Sequence, residues 1–347
     1  MEVHQFQGGA TAAPSPASHD HRLQVVKPLM TFEQFLAIVF YVFGATILIS
    51  FFGVLSNIAN ILVFYKMGFS SPCNISLFCL ALVDLLILCY ILIVSFGNHP
   101  LFVGADLPFS LPDAARTGAL VYYGCSAISS WITTIITVER SCCVAYPMKV
   151  NRIFTRKTII GLIGIMVIYQ IASGLPRSFG VRFTWTVSPQ TNRTLVTFVI
   201  YRPRLVVASY LASFSVPSLL CFAVVLVGTV FMIAKLKLSR QLRNSMTGSG
   251  NDTNILSDKD IRLVRSMVFI CIIFIVGSAP GILMNIAGIA YPPLHADNPY
   301  LRHFYVTFFA ISMMFLAIHS SVNIFVYLTM GANFKKTFKE MFFFRSY

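Results

Sequence analysis

The sequence predicts an all-α membrane protein, a bundle of seven transmembrane helices followed by a short amphipathic eighth helix. Three observations carry that prediction. Hydrophobic residues make up 56% of the chain and charged residues only 11%, far from the roughly 25% charged residues of an ordinary soluble domain. Uncharged runs cover residues 34–65, 117–138, 158–176, 205–234, 266–296 and 304–334, and a seventh, 73–97, is interrupted only by Asp84. Each is close to or beyond the roughly 20 residues that a helix needs to cross a bilayer.

The elements follow in order. Residues 1–33, with HQFQGGATAAPSPASHDH, are small, polar and rich in Pro and Gly, and read as a disordered extracellular tail. They lack a charged segment leading into a short apolar core and cleavage site, so the first span is expected to act as the insertion signal. Residues 34–330 form the seven-span domain, and seven crossings put the two termini on opposite sides. With the N-terminus outside, most of the 26 Lys and Arg fall on the cytoplasmic side, as the positive-inside tendency requires. The net charge of +14 therefore reads as topology and contact with membrane lipid, and no nucleic-acid partner is expected.

Two connections are long. The inner one, 237–260, contains SMTGSGNDTN and reads as a flexible linker. The outer one, 177–204, alternates as VRFTWTV, SPQTNR and TLVTFVIY, which predicts two strands around a turn. Asn192 in that turn begins an Asn-Arg-Thr sequon and is a glycosylation candidate. In the last segment, 331–347, NFKKTFKEMFFF places Phe334, Phe338, Met341 and Phe342 on one face and Lys335, Lys336 and Lys339 elsewhere. That is the pattern of an amphipathic helix along the inner membrane surface. All eight cysteines fall in spans or at their cytoplasmic ends, so no disulfide is expected.

Charge inside a bilayer is costly, so intramembrane ionisable residues face the bundle interior or a wet cavity. Asp84, in LALVDLL, is the one such acid at depth. Asn57 in span one, Ser129 in span three, and His319, Ser320 and Asn323 in the HSSVN run of span seven are the other conspicuous polar groups. Converging, they offer a carboxylate and several oxygens, a set suited to a small cation with its waters. No metal cluster of any other kind is expected. Glu139 and Arg140 lie ten and eleven residues beyond Ser129, about three helical turns further on, at the inner mouth. Arg140 has two candidate partners, the adjacent Glu139 and Asp260, one turn before the sixth apolar run. An Arg140–Asp260 pair would latch the inner ends of spans three and six, and a breakable latch is what a switch needs.

These residues, together with Glu139-Arg140-Ser141 followed by VAYPMKV, Pro217 in SFSVPSLL, Pro280 in FIVGSAPG and NIFVY at 323–327, resemble the rhodopsin-like family of G-protein-coupled receptors over roughly residues 35–342. The resemblance implies that Arg140 engages a heterotrimeric G protein once the inner side opens, that Asp260 restrains it, and that Pro147 and Met148 contact the G protein. It implies a switch role for Asn323 and Tyr327, an allosteric sodium ion at Asp84 with Ser129, Ser320 and Asn323, and arrestin as a further partner. Pro217, Phe274 and Pro280 become hinge positions of spans five and six. Several positions depart from the pattern: Ser141 for tyrosine, Ile324 for proline, Ser278 for the tryptophan that floors the ligand pocket, and no cysteine at either end of the family's outer disulfide. They point to a divergent branch, similar to peptide receptors or to invertebrate chemosensory receptors.

Tyr122 stands where aminergic receptors carry an aspartate, and span seven has no lysine for retinal. Tyr122, Tyr123, Arg116, Arg202 and Arg204 are the candidate contacts for an extracellular peptide or small chemical ligand, and the arginines of the outer rim suggest a negative group on it. No catalytic pairing or cofactor motif is present, so an enzyme is not expected. Two alternatives remain beside the receptor reading, a seven-helix receptor that does not couple and a membrane transporter or channel.

Overall fold

The computed structural model describes residues 30–102, 111–146, 150, 152–187, 194–245, 258–294, 298 and 300–343. Among them, seven helices are long and apolar enough to cross a membrane. Span one is Phe32–Met67, span two Pro72–Asn98, span three Leu111–Ala145 and span four Arg156–Ser178. Span five is built from Pro203–Tyr210, a π-helical turn Leu211–Ser215 and Val216–Ser245. Span six is Asp258–Ala290, span seven Arg302–Met330, and the C-terminal helix Ala332–Phe342.

Local chemistry sets these ends. Thr31 and Gln34 form a reciprocal capping box that starts span one. Gly68, at φ +77°, stops it, donating its backbone N–H to the Phe64 and Tyr65 carbonyls. Span six ends at Ala290, short of the uncharged run, because Pro292 and Pro293 follow Tyr291 and proline cannot donate to the helix ladder. The inner linker is shorter than 237–260: span five continues helically to Ser245 and span six begins at Asp258. Lys, Leu, Arg and Gln in KLKLSRQLRN are good helix formers, and bilayer thickness does not limit a helix that has left it.

Span three is the most buried of the seven and spans four and one the least. Span three touches spans two, four, five and six, whereas span one packs on spans two and seven. Large apolar side chains such as Leu48, Leu55, Ile165 and Ile168 point outward from spans one and four, as expected where hydrocarbon is the solvent. Spans one and seven come so close that a Cβ on Gly53 would lie 2.1 Å from Ser321 Oγ, the small-residue contact by which membrane helices pack. One apolar cluster joins Phe64, Leu77, Ile136, Met267, Tyr327 and Phe334, tying the C-terminal helix to spans one, two, three, six and seven. Phe334 is buried against Phe64 and Tyr327, with ring centroids 5.1 and 5.3 Å away. Lys335, Lys336 and Lys339 are exposed, so the helix is amphipathic as its sequence predicts.

At the opposite end, β1 (Val181–Val187) and β2 (Thr194–Ile200) pair antiparallel with Val181 opposite Ile200 and Val187 opposite Thr194. The hairpin is therefore where the alternation places it. Its turn, including Asn192, lies outside the described residues. All eight cysteines are thiols, and the hairpin base is held instead by Tyr201. Its hydroxyl donates to the Phe179 carbonyl, the backbone N–H groups of Tyr201 and Arg202 reach the Gly180 carbonyl, and the Arg182 guanidinium sits 4.5 Å from the Tyr201 ring centroid.

Span five contains a device that the sequence does not announce. Pro217 has no N–H to give, which leaves a carbonyl one turn back without its helical partner. The π-helical turn sits on that gap. Span four fills it: Tyr169 Oη donates to the Ala212 carbonyl at 2.9 Å, and Gln170 Nε2 to the Ser213 carbonyl at 2.9 Å.

Candidate functional site

Three polar sites lie along the bundle axis. The first surrounds Asp84, whose side chain is fully buried in span two. Ser129 Oγ and Ser320 Oγ donate to its Oδ1 at 3.1 and 3.2 Å, and Asn323 Nδ2 donates to its Oδ2 at 3.1 Å. Asn57 braces this arrangement from span one, its Nδ2 donating to the Ser320 carbonyl at 2.7 Å and to the Gly53 carbonyl at 3.0 Å. Of the six residues expected to converge, Asp84, Asn57, Ser129, Ser320 and Asn323 are thus brought together, whereas His319 lines the next cavity instead. All three donors to the carboxylate are neutral, and Asn323 Oδ1 is buried without a partner. A carboxylate with hydroxyl and amide oxygens is the donor set that a small hard cation prefers.

The second site is a cavity of about 80 Å³ on the hairpin side of Asp84. Spans two, three, five, six and seven line it, with Tyr122, Ser129, Ser218, Phe274, Ser278, Asn285 and His319 among its walls. Ser129 belongs to both sites. Phe274 and His319 meet edge to face, ring centroids 5.5 Å apart. Gly277 lets spans six and seven touch here, since a Cβ on it would stand 2.4 Å from His319 Cβ. Asn285 Oδ1 accepts from Ser215 Oγ at 2.9 Å and Tyr210 Oη at 3.2 Å, which ties span six to the π-helical turn of span five. Further toward the hairpin, Tyr122 stacks on Tyr90 at 4.6 Å, Tyr123 packs against Tyr210 and Phe214, and the Arg177 guanidinium lies 5.2 Å from the Tyr123 ring centroid.

The third site is at the C-terminal-helix end. Arg140 Nη2 donates to Glu139 Oε1 at 3.0 Å, and both side chains are more than nine-tenths buried. Cys73 of span two also contacts the guanidinium. Of the two candidate partners for Arg140, the described pair is the one with Glu139. Asp260 lies in the first turn of span six, and its side chain is outside the described residues. A cavity of about 370 Å³ opens nearby among spans one, two, six and seven and the C-terminal helix, lined by Cys73, Leu77, Met267, Tyr327 and Phe334 among others.

The remaining candidates are spread out. Tyr122 lines the second cavity and Tyr123 packs beside it, but Arg202 and Arg204 are exposed at the start of span five, away from its walls. The side chain of Arg116 and the residues Pro147 and Met148 lie outside what is described. Phe274 is buried in the cavity wall. Pro280 falls inside span six, which continues helically through it, and Pro217 follows the π-helical turn. Asn285, Ser218 and Gln170 escape a reading that concentrates on Asp84. The signal was available, since Asn285 in ILMNIAG and Gln170 in VIYQIAS are polar residues in apolar runs, the same anomaly that marks Asp84.

No curated protein matches the chain. A family model, 7 transmembrane receptor (rhodopsin family), matches residues 56–327, well over half of the chain, and its span takes in Asp84, the second cavity and the Glu139–Arg140 pair. With that match over a chain whose structure holds seven helices long and apolar enough to cross a membrane, the protein belongs to the rhodopsin family of seven-transmembrane receptors.

Proposed function

We propose that this receptor sits in the plasma membrane with its N-terminus and hairpin outside, binds an extracellular peptide or small chemical ligand between spans three, five, six and seven, and activates a heterotrimeric G protein by outward movement of span six. The observation that carries the reading is the buried Glu139–Arg140 pair at the foot of the most buried helix, beside a cavity that the C-terminal helix borders. An arginine held out of solvent by its neighbour is a group in reserve. Asp260, in the first turn of span six, is the second restraint, and its separation from Arg140 would open the inner side.

Span six is suited to such a movement. Pro280 removes a backbone hydrogen bond and Gly277 and Gly281 lower helix propensity, so bending there is cheap. A ligand drives the change only by binding the open state better than the closed one. Asn323 and Tyr327 link the centre of the bundle to the inner end, and the lysines of the C-terminal helix meet anionic lipid. A sodium ion fits the centre, where Asp84, Ser129, Ser320 and the unpartnered Asn323 Oδ1 would hold it and Asn57 would brace Ser320. When bound it would supply the positive charge that the neutral donors to Asp84 lack, and so favour the closed state. Arrestin is a further partner for the opened inner face.

The test is guanine-nucleotide exchange by a panel of purified Gα subunits with the full chain in lipid nanodiscs. Wild type is expected to accelerate exchange by at least one Gα type and Arg140→Ala to abolish the acceleration. No acceleration with any Gα would leave the non-coupling receptor, a reading that Ser141, Ile324 and Ser278 favour, and solute flux in liposomes would favour the transporter.

A further inference from the structure

The cavity between Asp84 and the hairpin contains no Asp, Glu, Lys or Arg among its lining residues, yet it is not apolar. Four of its side chains are more than nine-tenths buried and leave a polar atom without a partner: Ser126 Oγ, Ser218 Oγ, Asn285 Nδ2 and His319 Nδ1. An unpartnered buried donor or acceptor costs about 1–3 kcal/mol, so four around one space call for an occupant. The wall from span six is cut back there, with Gly277, Ser278 and Gly281 facing the space, and a Cβ added to Gly281 would meet nothing within 4 Å.

We propose that this cavity is a deep subsite that takes an uncharged, carbonyl-bearing end of the ligand, the carbonyl oxygen accepting a hydrogen bond from Asn285 Nδ2. The inference deepens the receptor reading and rests on it. An amide nitrogen only donates, and Asn285 Oδ1 is already engaged by Ser215 and Tyr210, so the free half of Asn285 requires an acceptor. Ser218 can donate or accept and satisfies either face of the incoming group. A carboxylate would be desolvated with no Lys or Arg among the lining residues, and an ammonium would find only Asp84, behind Ser129 and with both oxygens already engaged, so either charge enters at a cost of several kcal/mol. The space is smaller than the roughly 150 Å³ that holds a benzene ring, so it fits a group of a few heavy atoms while the rest of the ligand extends past Tyr122 toward the hairpin. Any negative group on the ligand belongs near the outer arginines, not at this depth. Because Asn285 holds the π-helical turn of span five with its other atom, the same residue reports occupancy to two helices.

The probes are acetamide and its charged isosteres, acetate and acetamidinium, read by saturation-transfer NMR on the full chain in nanodiscs. Acetamide is expected to bind, the charged isosteres at least tenfold more weakly, and Asn285→Ala to weaken acetamide about tenfold. Gly281→Leu and, independently, Ser278→Leu fill the space and are expected to abolish the acetamide signal. Equal binding of the three probes, an acetamide signal that survives both filling variants, or no acetamide binding because water holds the site, would each overturn the proposal. Gα exchange measured on the same preparations separates the two readings. Exchange without acetamide binding removes this subsite alone, whereas specific acetamide binding without exchange supports the subsite and removes the coupling reading.

Discussion

The two polar sites that share Ser129 are built in opposite ways. Around Asp84 both carboxylate oxygens are engaged by donors from spans three and seven, and span seven is braced from span one at the Ser320 carbonyl. One helical turn toward the hairpin, Ser218, Asn285 and His319 each keep a polar atom idle. The centre of the bundle keeps two amide oxygens idle, Asn57 Oδ1 and Asn323 Oδ1, but every side-chain donor around Asp84 has its acceptor, whereas the cavity above it leaves the buried Asn285 Nδ2 without one. The contrast teaches that burial alone does not mark a binding site. Unanswered hydrogen-bonding capacity does, and here it coincides with the place where span six has lost its bulk at Ser278.

Substitutions should break the two sites unequally. Asp84→Ala leaves three buried donors with nothing to engage, and since serine hydroxyls can fall back on carbonyls in their own helix the expected cost is about 2–4 kcal/mol, read as a large drop in thermal unfolding temperature in detergent. Asn285→Ala removes an acceptor but also an idle donor, so its expected cost is smaller, about 1 kcal/mol. A loss equal to that of Asp84→Ala would show that the cavity is as self-sufficient as the centre. Gln170→Leu uncovers the Ser213 carbonyl at the π-helical turn and should cost about 1 kcal/mol or less, the usual size for hydrogen bonds between membrane helices. Unchanged stability would mean that another donor takes over at that turn. The smallest stability effect is expected for Asp84→Asn, which keeps the size of the side chain, yet it should abolish any sodium dependence of agonist affinity. A variant that retains that dependence places the ion elsewhere.

How far the sequence reaches can be judged from particular residues. The seven spans are legible because hydrocarbon tolerates so few charges, and the hairpin is legible because VRFTWTV and TLVTFVI alternate. The meeting of Asp84 with Asn57, Ser129, Ser320 and Asn323 is legible because a bilayer drives polar groups inward. Helix ends are less so: Ser245 and Asp258 lie beyond the bilayer, where composition no longer reports the end of a span. What stays hidden is pairing between helices. Nothing local to Gln170 says that it faces a carbonyl freed by Pro217 some fifty residues later, and nothing local to Asn285 says that two hydroxyls of span five already hold its oxygen. The outer arginines show the same limit. Their number suggests a negative group on the ligand but says nothing of local pairing: Arg182 and Arg202 both face the Tyr201 ring, and Arg204 is exposed.

The central claim is that Arg140 is held in reserve and released when span six moves, and basal nucleotide exchange on Gα tests it most directly. At equal surface expression, Asp260→Ala should raise agonist-independent exchange severalfold over wild type, and Arg140→Ala in the same background should return it to the level without receptor. Basal exchange that is the same in wild type and Asp260→Ala would contradict the latch between spans three and six.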